Sequence, residues 1–207
     1  MSVRSLEAFE NWGIFLSPHL PLVLKLLAGR EKLSNLCDVE EPFTVSEAYE
    51  LTKLLHERTA GKDGSLKFVN TGTIDPYVNL WGHKHATYIK SKYLKPVIDG
   101  TRLKKLFPRR FAQSTTPKIL ISGIRHFESF LDGSGEYVAG KSTVIFMGFK
   151  RGWIPKYLLS VLNSNLVKFF LKECHGSLAM EGESISPHIT YLRFRSRMVR
   201  RRGRTKL

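Results

Sequence analysis

Apolar residues recur with two different periods along the chain, and these periods predict helices and strands in mixed order. Residues 155–173 carry the longest helical pattern, which begins at Pro155, a residue that suits the first position of a helix. Its apolar stripe consists of Leu158, Leu159, Leu162, Leu166, Phe169 and Phe170. A second helix is predicted from Val45 to Arg58, because residues 44–47 have the spacing of a capping box. Residues 5–28 predict two short helical pieces that are broken around Pro18 and Pro21.

Strand patterns fill the middle of the chain. Residues 118–124 and 143–149 are rich in β-branched and aromatic side chains, and a turn cluster at 132–135 between them predicts an antiparallel pair. Shorter extended runs lie at 66–70 and at 88–97, the latter with a break at Pro96. We interpret residues 99–116 as a basic loop and residues 181–189 as a loop or short strand.

These elements predict an α+β fold, a twisted mixed or antiparallel β-sheet with flanking helices. We divide the chain into a helical extension or linker at 1–32, one main domain at 33–192 and a basic tail at 193–207, which we expect to be disordered.

The charge of the chain narrows its partners. There are 33 Lys and Arg against 18 Asp and Glu, a formal net charge of +15 at pH 7. Such an excess favours a polyanionic partner, either a nucleic acid or an anionic membrane surface. Residues 193–207 carry seven Arg and one Lys, but ten further Lys and Arg lie between Lys84 and Lys118, where Asp99 is the one acid. The main domain therefore has a basic region of its own.

Several other classes of protein do not fit the sequence. No apolar run reaches the length of a membrane-spanning helix, and residues 1–10 contain two Glu, which is atypical of a signal peptide. The two cysteines, Cys37 and Cys174, are far apart, which predicts reduced thiols in place of a disulfide framework. We therefore predict a cytoplasmic protein that does not associate with membranes.

Residues 67–93 hold the densest group of candidate binding residues. Gly72 and Pro76 keep a cluster of small polar residues out of a long regular element. That cluster is Asn70, Thr71, Thr73 and Asp75, and the aromatic and basic residues after it are Tyr77, Trp81, Lys84, Tyr88, Lys90, Lys92 and Tyr93. Short polar side chains on a loop suit contacts to base edges, and lysines suit phosphates. The alternative is a polar loop capped by half-buried aromatic residues, and we expect Trp81 and Tyr93 to belong to the core.

Four motifs in order resemble a known family. They are Asn70-Thr71-Gly72-Thr73-Ile74-Asp75-Pro76-Tyr77, Tyr93-Leu94-Lys95-Pro96, Pro117-Lys118-Ile119-Leu120-Ile121-Ser122-Gly123 and Leu162-Asn163-Ser164-Asn165-Leu166. Together they resemble the TaqI-like C-terminal specificity domain, the target-recognition part of certain restriction–modification DNA methyltransferases. That domain is similar to the recognition domains of type I specificity subunits. The resemblance runs from about residue 33 to residue 192, and the basic tail departs from the short apolar–Pro segment that usually closes the family.

The resemblance implies sequence-specific binding of double-stranded DNA, without catalysis and without a cofactor. It implies a partner in trans, an S-adenosylmethionine-dependent DNA methyltransferase or a restriction subunit. The residues that we predict on phosphates are Lys84, Lys90, Lys92, Arg109, Arg110, Lys118, Arg125 and Lys141. Those that we predict near base edges, or in the loop that shapes them, are Asn70, Thr71, Thr73, Asp75 and Tyr77. Asp75 either accepts from a cytosine amino group or caps its own turn, and we favour the turn.

Two other interpretations stay open. In the first, the chain is a non-specific nucleic-acid-binding protein whose affinity comes from charge alone. In the second, it is an orphaned fragment of a larger methyltransferase or nuclease. A competition with unrelated DNA separates specific from non-specific binding.

Two enzyme signatures in the sequence are incomplete. Residues 135–142 match the P-loop pattern, but strand-like residues follow where a P-loop needs a helix. Residues 75–77 are one proline short of the motif with which DNA amino-methyltransferases hold a flipped base. We therefore expect methyl transfer only from a partner.

Metal and nuclease sites are not predicted either. His83 and His85 have the spacing of a metal-binding pair, but the sequence shows no third ligand. Glu128 and Asp132 with Lys141 imitate the acid–lysine cluster of a nuclease, an interpretation that we do not adopt.

Overall fold

A computed structural model describes residues 17–28, 31–59, 64–123, 127–150, 152, 154–175 and 193–194. The helices are α1 (Leu20–Leu27), α2 (Val45–Thr52), α3 (Gly100–Leu106), α4 (Pro108–Ser114), α5 (Pro155–Leu162) and α6 (Asn165–His175). The strands up to the middle of the chain are β1 (Glu31–Lys32), β2 (Asp38–Glu40), β3 (Leu55–Glu57), β4 (Ser65–Val69), β5 (Ile74–Asp75), β6 (Val78–Asn79), β7 (Ala86–Tyr88), β8 (Ser91–Tyr93) and β9 (Pro96–Asp99). The remaining strands are β10 (Lys118–Ile121), β11 (Ser129–Asp132), β12 (Tyr137–Ala139), β13 (Val144–Met147) and β14 (Arg193–Phe194).

Most of the strands belong to two four-stranded sheets. Sheet I has the order β11-β10-β13-β2 and is antiparallel throughout. Sheet II has the order β12-β4-β9-β3 and is mixed, because β12 runs parallel to β4. The pairs β5–β6 and β7–β8 are separate hairpins, and β1 pairs with β14. The predicted α+β class is confirmed, with two larger sheets where the sequence suggested one.

The apolar core lies between the sheets and on their outer faces. Ile119 and Ile121 of β10 face a cluster that contains residues of α1, α5 and α6. Leu120 points the other way and packs with Val69 and Ala139 of sheet II. Residues 119–121 are all fully buried, so the strand is a continuous apolar run without alternation. The predicted antiparallel pairing of this strand with the second strong strand is confirmed as β10 with β13.

The predicted helix from Val45 to Arg58 is correct at its start and wrong at its end. The capping box is present, since the Thr44 hydroxyl accepts from the Glu47 N–H and the Glu47 carboxylate accepts from the Thr44 N–H. After Thr52 the chain turns and forms β3, which pairs with β9 at the edge of sheet II. The extended segment at 88–97 is interrupted just before Pro96, as predicted: β8 ends at Tyr93, and Pro96 is the first residue of β9, a position that a proline tolerates. The two strands also separate, since β8 pairs with β7 in a hairpin and β9 belongs to sheet II.

The basic segment at 99–116 forms two short helices and is not a loop. Asp99 caps α3 by accepting from the Arg102 N–H at 3.0 Å, and this bond to the backbone lowers the pKa of the Asp99 carboxyl. Pro108 stands in the first turn of α4. Both signals were present in the sequence, but each helix has only seven residues, too few for a clear apolar stripe.

The predicted helix at 155–173 is divided in two at Asn163. The Asn163 amide oxygen accepts from the Ser129 N–H at 2.9 Å, and its nitrogen donates to the Ser129 carbonyl at 2.9 Å. Ser164 then begins the next helix by accepting from the Val167 N–H. The motif at 162–166 therefore joins α5 and α6 and attaches them to β11.

The ends of the chain fit the sequence predictions only in part. Helix α1 is a single piece that includes Pro21 in its first turn, and residues 5–16 of the predicted pair lie outside the described residues. Arg193 and Phe194 form β14, so the prediction of disorder is wrong for these two residues; residues 181–189 and the rest of the tail are also outside the described residues. Among the helices that the structure describes, none is long and apolar enough to cross a membrane.

Candidate nucleic-acid interface

The loops that follow the parallel strands β4 and β12 lie side by side, and the loop that follows β10 approaches them. The Gly140 N–H donates to the Val69 carbonyl at 2.7 Å, so the segments that follow the two strands start side by side. A Cβ on Gly140 would stand 3.0 Å from that carbonyl oxygen and 3.1 Å from the Asn70 Cβ. A Cβ on Gly123, just after β10, would stand 3.3 Å from the Ser142 carbonyl oxygen. Glycine at both positions permits this close approach.

Asn70 joins one of these loops to the β7–β8 hairpin. Its side-chain oxygen accepts from the Gly72 N–H at 3.2 Å, and its side-chain nitrogen donates to the Thr87 carbonyl at 2.5 Å. Thr73 closes the same turn by donating its hydroxyl to the Asn70 carbonyl, and it is only 1% exposed. Thr73 therefore shapes the loop and does not present its side chain to a ligand.

The β7–β8 hairpin brings a lysine to this place. Thr87 and Lys92 are partners in the register, and both are exposed. Their neighbours Ala86 and Tyr88 are buried, and the Tyr88 hydroxyl donates to the Ala48 carbonyl at 3.2 Å. Because successive strand residues point to opposite faces, the buried pair directs Thr87 and Lys92 outward.

We call the resulting area the loop-end surface, and it consists of Asn70, Thr71, Gly72, Thr87, Lys92 and Lys141. Lys92 and Lys141 are both exposed, and neither forms an ion pair within the described part of the chain. The area thus combines exposed ammonium groups with backbone and hydroxyl hydrogen-bonding groups. Of the residues predicted from the sequence, it brings together Asn70, Thr71, Lys92 and Lys141.

Other predicted residues lie elsewhere on the molecule. Asp75 and Tyr77 are on the β5–β6 hairpin. This hairpin is attached to β11 by a hydrogen bond from the Tyr77 N–H to the Ser129 carbonyl at 2.8 Å. Tyr77 is 57% exposed and has a φ of 70°, which is unusual for a residue other than glycine. Arg109 is exposed on α4, 3.5 Å from the Glu40 carboxylate.

Two further lysines are exposed near the hairpins, and one predicted residue lies outside the description. Lys90 is at the tip of β7–β8, and Lys84 is in the loop between β6 and β7. Arg125 falls outside the described residues. Trp81 is half-buried and donates its indole N–H to the Pro96 carbonyl, and Tyr93 packs on the core, as expected of both aromatic residues.

The prediction that Lys118 contacts a phosphate is wrong. Its side chain is 0% exposed and forms an ion pair with Asp132 at 2.5 Å. The ammonium also donates to the Ser114 carbonyl at 2.7 Å and the Thr116 carbonyl at 3.3 Å. Burial lowers the pKa of Lys118, and the Asp132 charge opposes that shift. Lys118 is therefore a structural residue, whose ammonium donates to three acceptors within the protein.

The prediction that Arg110 contacts a phosphate is also wrong. Arg110 is buried, and its guanidinium donates to the Glu47 carboxylate at 2.7 Å and to the Glu41 carbonyl at 3.0 Å. It also lies over the ring of Phe43, 5.7 Å from the ring centre. The residue connects α4 to the start of α2.

We expect Glu47→Gln to destabilise the fold by about 1–3 kcal/mol, because the acceptor of the hydrogen bonds from Arg110 and Thr44 loses its negative charge. Burial raises the pKa of Glu47, but the hydrogen bonds from Arg110 and Thr44 outweigh burial and the pKa is lowered. The stabilisation is therefore complete above the ordinary glutamate pKa and disappears as the pH falls through the lowered value. Urea unfolding of both proteins across acidic pH measures this difference. Glu50→Gln, which removes an exposed pair with Lys53, is the control and should change stability little.

Two of the enzyme-like signatures in the sequence can be compared with the described residues. Residues 137–139 are β12 and residues 144–147 are β13, so the P-loop-like segment has strands where a P-loop has its loop and helix. His83 and His85 are exposed, and within the described ranges no three His, Cys, Asp or Glu side chains form a group that could hold a metal ion.

Known proteins add no identification. A comparison with protein-family models found no match, and a comparison with curated proteins found none either. The resemblance to the TaqI-like specificity domain therefore stays a prediction.

Proposed function

We propose that this chain is a sequence-specific double-stranded DNA-binding domain of a restriction–modification system that is not catalytic by itself. It would act with an S-adenosylmethionine-dependent methyltransferase or a restriction subunit supplied in trans. The observation that supports this proposal most is the loop-end surface, where the segments that carry the exposed Lys92 and Lys141 adjoin the polar loop at 70–72. The four sequence motifs support the family.

The surface has the two kinds of group that DNA recognition needs. Exposed lysines neutralise phosphates and set the register of the protein on the duplex. Thr71 and Thr87 carry hydroxyls, which can donate to or accept from base edges. Both side-chain groups of Asn70 already bind the protein, so Asn70 positions the loop and leaves the reading of bases to its neighbours.

Non-specific binding by charge is the second candidate function, and the net charge of +15 favours it. Electrostatic binding alone gives no preference among sequences and weakens steeply with salt. A recognition domain instead binds its target about 10³-fold or more tightly than random duplex.

Selection from a random duplex library separates the two functions. The full chain is mixed with the library and an excess of unrelated competitor DNA, at a low and a higher salt concentration. We expect one motif to be enriched at both concentrations. Salt-sensitive binding without an enriched motif would show that charge alone drives the association, and the proposal would then be wrong.

A further inference from the structure

The tip of the β7–β8 hairpin carries an apolar residue in an unusual backbone conformation. Ile89 and Lys90 form the two-residue turn between the paired residues Tyr88 and Ser91. Ile89 has a φ of 54° and is 45% exposed. A β-branched residue at positive φ is a true outlier, since such turns normally take glycine, asparagine or aspartate.

Contacts with the core and with the loop at 70–72 hold the two strands of the hairpin in place. Tyr88, next to Ile89, is buried with its ring against Phe68, at a centre-to-centre distance of 4.8 Å. Ala86 is fully buried, and the Asn70 side chain binds the Thr87 carbonyl. A strained turn persists only where its surroundings fix it, and these contacts do so. The hairpin is thus a rigid support for an exposed isoleucine.

The surroundings of the tip indicate what the isoleucine meets. Lys90 follows Ile89 directly, and Lys92 lies one residue pair down the hairpin on the loop-end surface. A single exposed isoleucine is ordinary on a protein surface. An isoleucine fixed on a rigid tip close to two exposed lysines instead fits an anionic partner with an apolar interior that can be entered. A DNA duplex has both properties, with phosphates outside and stacked bases inside.

We propose that Ile89 is an apolar wedge that enters between two adjacent base pairs and kinks the bound duplex. This inference rests on the proposed DNA-binding function and adds how the duplex is deformed. Isoleucine is among the side chains that partly unstack base steps when they are inserted. Lys90 and Lys92 would hold the backbone on either side of the kink. Since pyrimidine–purine steps unstack most easily, the target is expected to have such a step at the wedge.

The test compares DNA bending and affinity for Ile89→Ala, Ile89→Leu and the unchanged protein. Energy transfer between dyes at the ends of the selected duplex measures the bend, and titrations at several salt concentrations measure affinity. Ile89→Ala is expected to lower affinity about tenfold or more and to reduce the bend, because the wedge is lost. The slope of affinity against salt should be unchanged, because the lysines remain. Ile89→Leu, which keeps an apolar side chain, should retain both bend and affinity.

Ile154→Ala is the matched control, since Ile154 is 40% exposed and directly precedes α5. Helix α5 packs in a different apolar cluster from Tyr88 of the hairpin. This control variant should leave bend and affinity unchanged. Ile89→Gly replaces Ile89→Ala in the test if the alanine variant folds poorly, because glycine adopts a positive φ without strain. The duplex bound by Ile89→Gly should also be less bent.

The outcomes separate the wedge from the proposed function. The wedge proposal is wrong if the unchanged protein binds its motif without bending it, or if Ile89→Ala and Ile89→Gly bend the duplex equally well. Either result leaves the proposal of specific DNA binding intact. If the unchanged protein selects no motif, the proposed function is wrong, and the wedge proposal, which depends on it, is wrong as well.

Discussion

The double variant Lys92→Glu, Lys141→Glu is expected to bind the selected duplex about 100-fold more weakly than the unchanged protein, because attraction to two phosphates becomes repulsion. The slope of log affinity against log salt should become shallower by about 2, close to one unit for each phosphate that is no longer neutralised. Both side chains are exposed and belong to the loop-end surface, so their replacement should not disturb the fold. Titration by fluorescence anisotropy at several salt concentrations gives affinity and slope together.

A control of equal charge tests whether position matters. Lys156 and Lys172 are exposed on α5 and α6, which cover the outer face of sheet I. Lys156→Glu, Lys172→Glu changes the net charge by the same amount and should weaken binding only slightly. Equal losses of affinity for the two double variants would mean that total charge, and not the loop-end surface, governs binding.

Local signals in the sequence were sufficient for several elements. The capping box at Thr44 and Glu47 involves neighbours along the chain, so the start of α2 could be predicted. Residues 119–121 are apolar on both faces of a strand, and that pattern is also local. The boundaries that failed were set by distant partners. Strand β3 exists because it pairs with β9, and the division between α5 and α6 depends on a bond from Asn163 to Ser129.

The candidate site could be predicted only in part for the same reason. The polar loop at 70–73 was evident from composition, and the structure shows it as a closed turn. Lys141 comes near this loop through the parallel pairing of β4 with β12 and the close approach at Gly140. Thr87 and Lys92 come near it through the bond from the Asn70 side chain to the Thr87 carbonyl and the register of the β7–β8 hairpin. A parallel pair between strands so far apart along the chain leaves no local pattern.

Basic residues were the least reliable part of the sequence prediction. Lys118 and Arg110 lie in a stretch of high positive charge, which suggested a surface for phosphates. Each has a carboxylate partner that is distant along the chain, Asp132 for Lys118 and Glu47 for Arg110. Because charged residues are rarely buried without a partner, the pairing explains their burial. The basic excess of the chain therefore overstates the charge that is available to a ligand.

The buried pair of Lys118 and Asp132 is also the feature whose loss should harm the fold most. Asp132 accepts from the N–H groups of Gly135 and Tyr137, at 2.9 Å and 3.1 Å, and so fixes the turn into β12. Since β12 begins at Tyr137 and ends just before the loop of Lys141, the pair also supports the loop-end surface. The ammonium of Lys118 balances a carboxylate that has no access to water.

We expect Lys118→Met to destabilise the protein by about 3–5 kcal/mol, because removal of one partner leaves the other charge buried without compensation. Lys150→Met is the matched control: Lys150 pairs with Asp38 at 2.7 Å, but both side chains are about half exposed, so its loss should cost only about 0–1 kcal/mol. Urea unfolding of the two variants and the unchanged protein measures the difference. The further variant Lys118→Met, Asp132→Leu removes the uncompensated charge yet should stay destabilised, because the N–H groups of Gly135 and Tyr137 then lack their acceptor. Full recovery in that double variant would mean that Asp132 serves only to neutralise Lys118 and has no part in holding the turn.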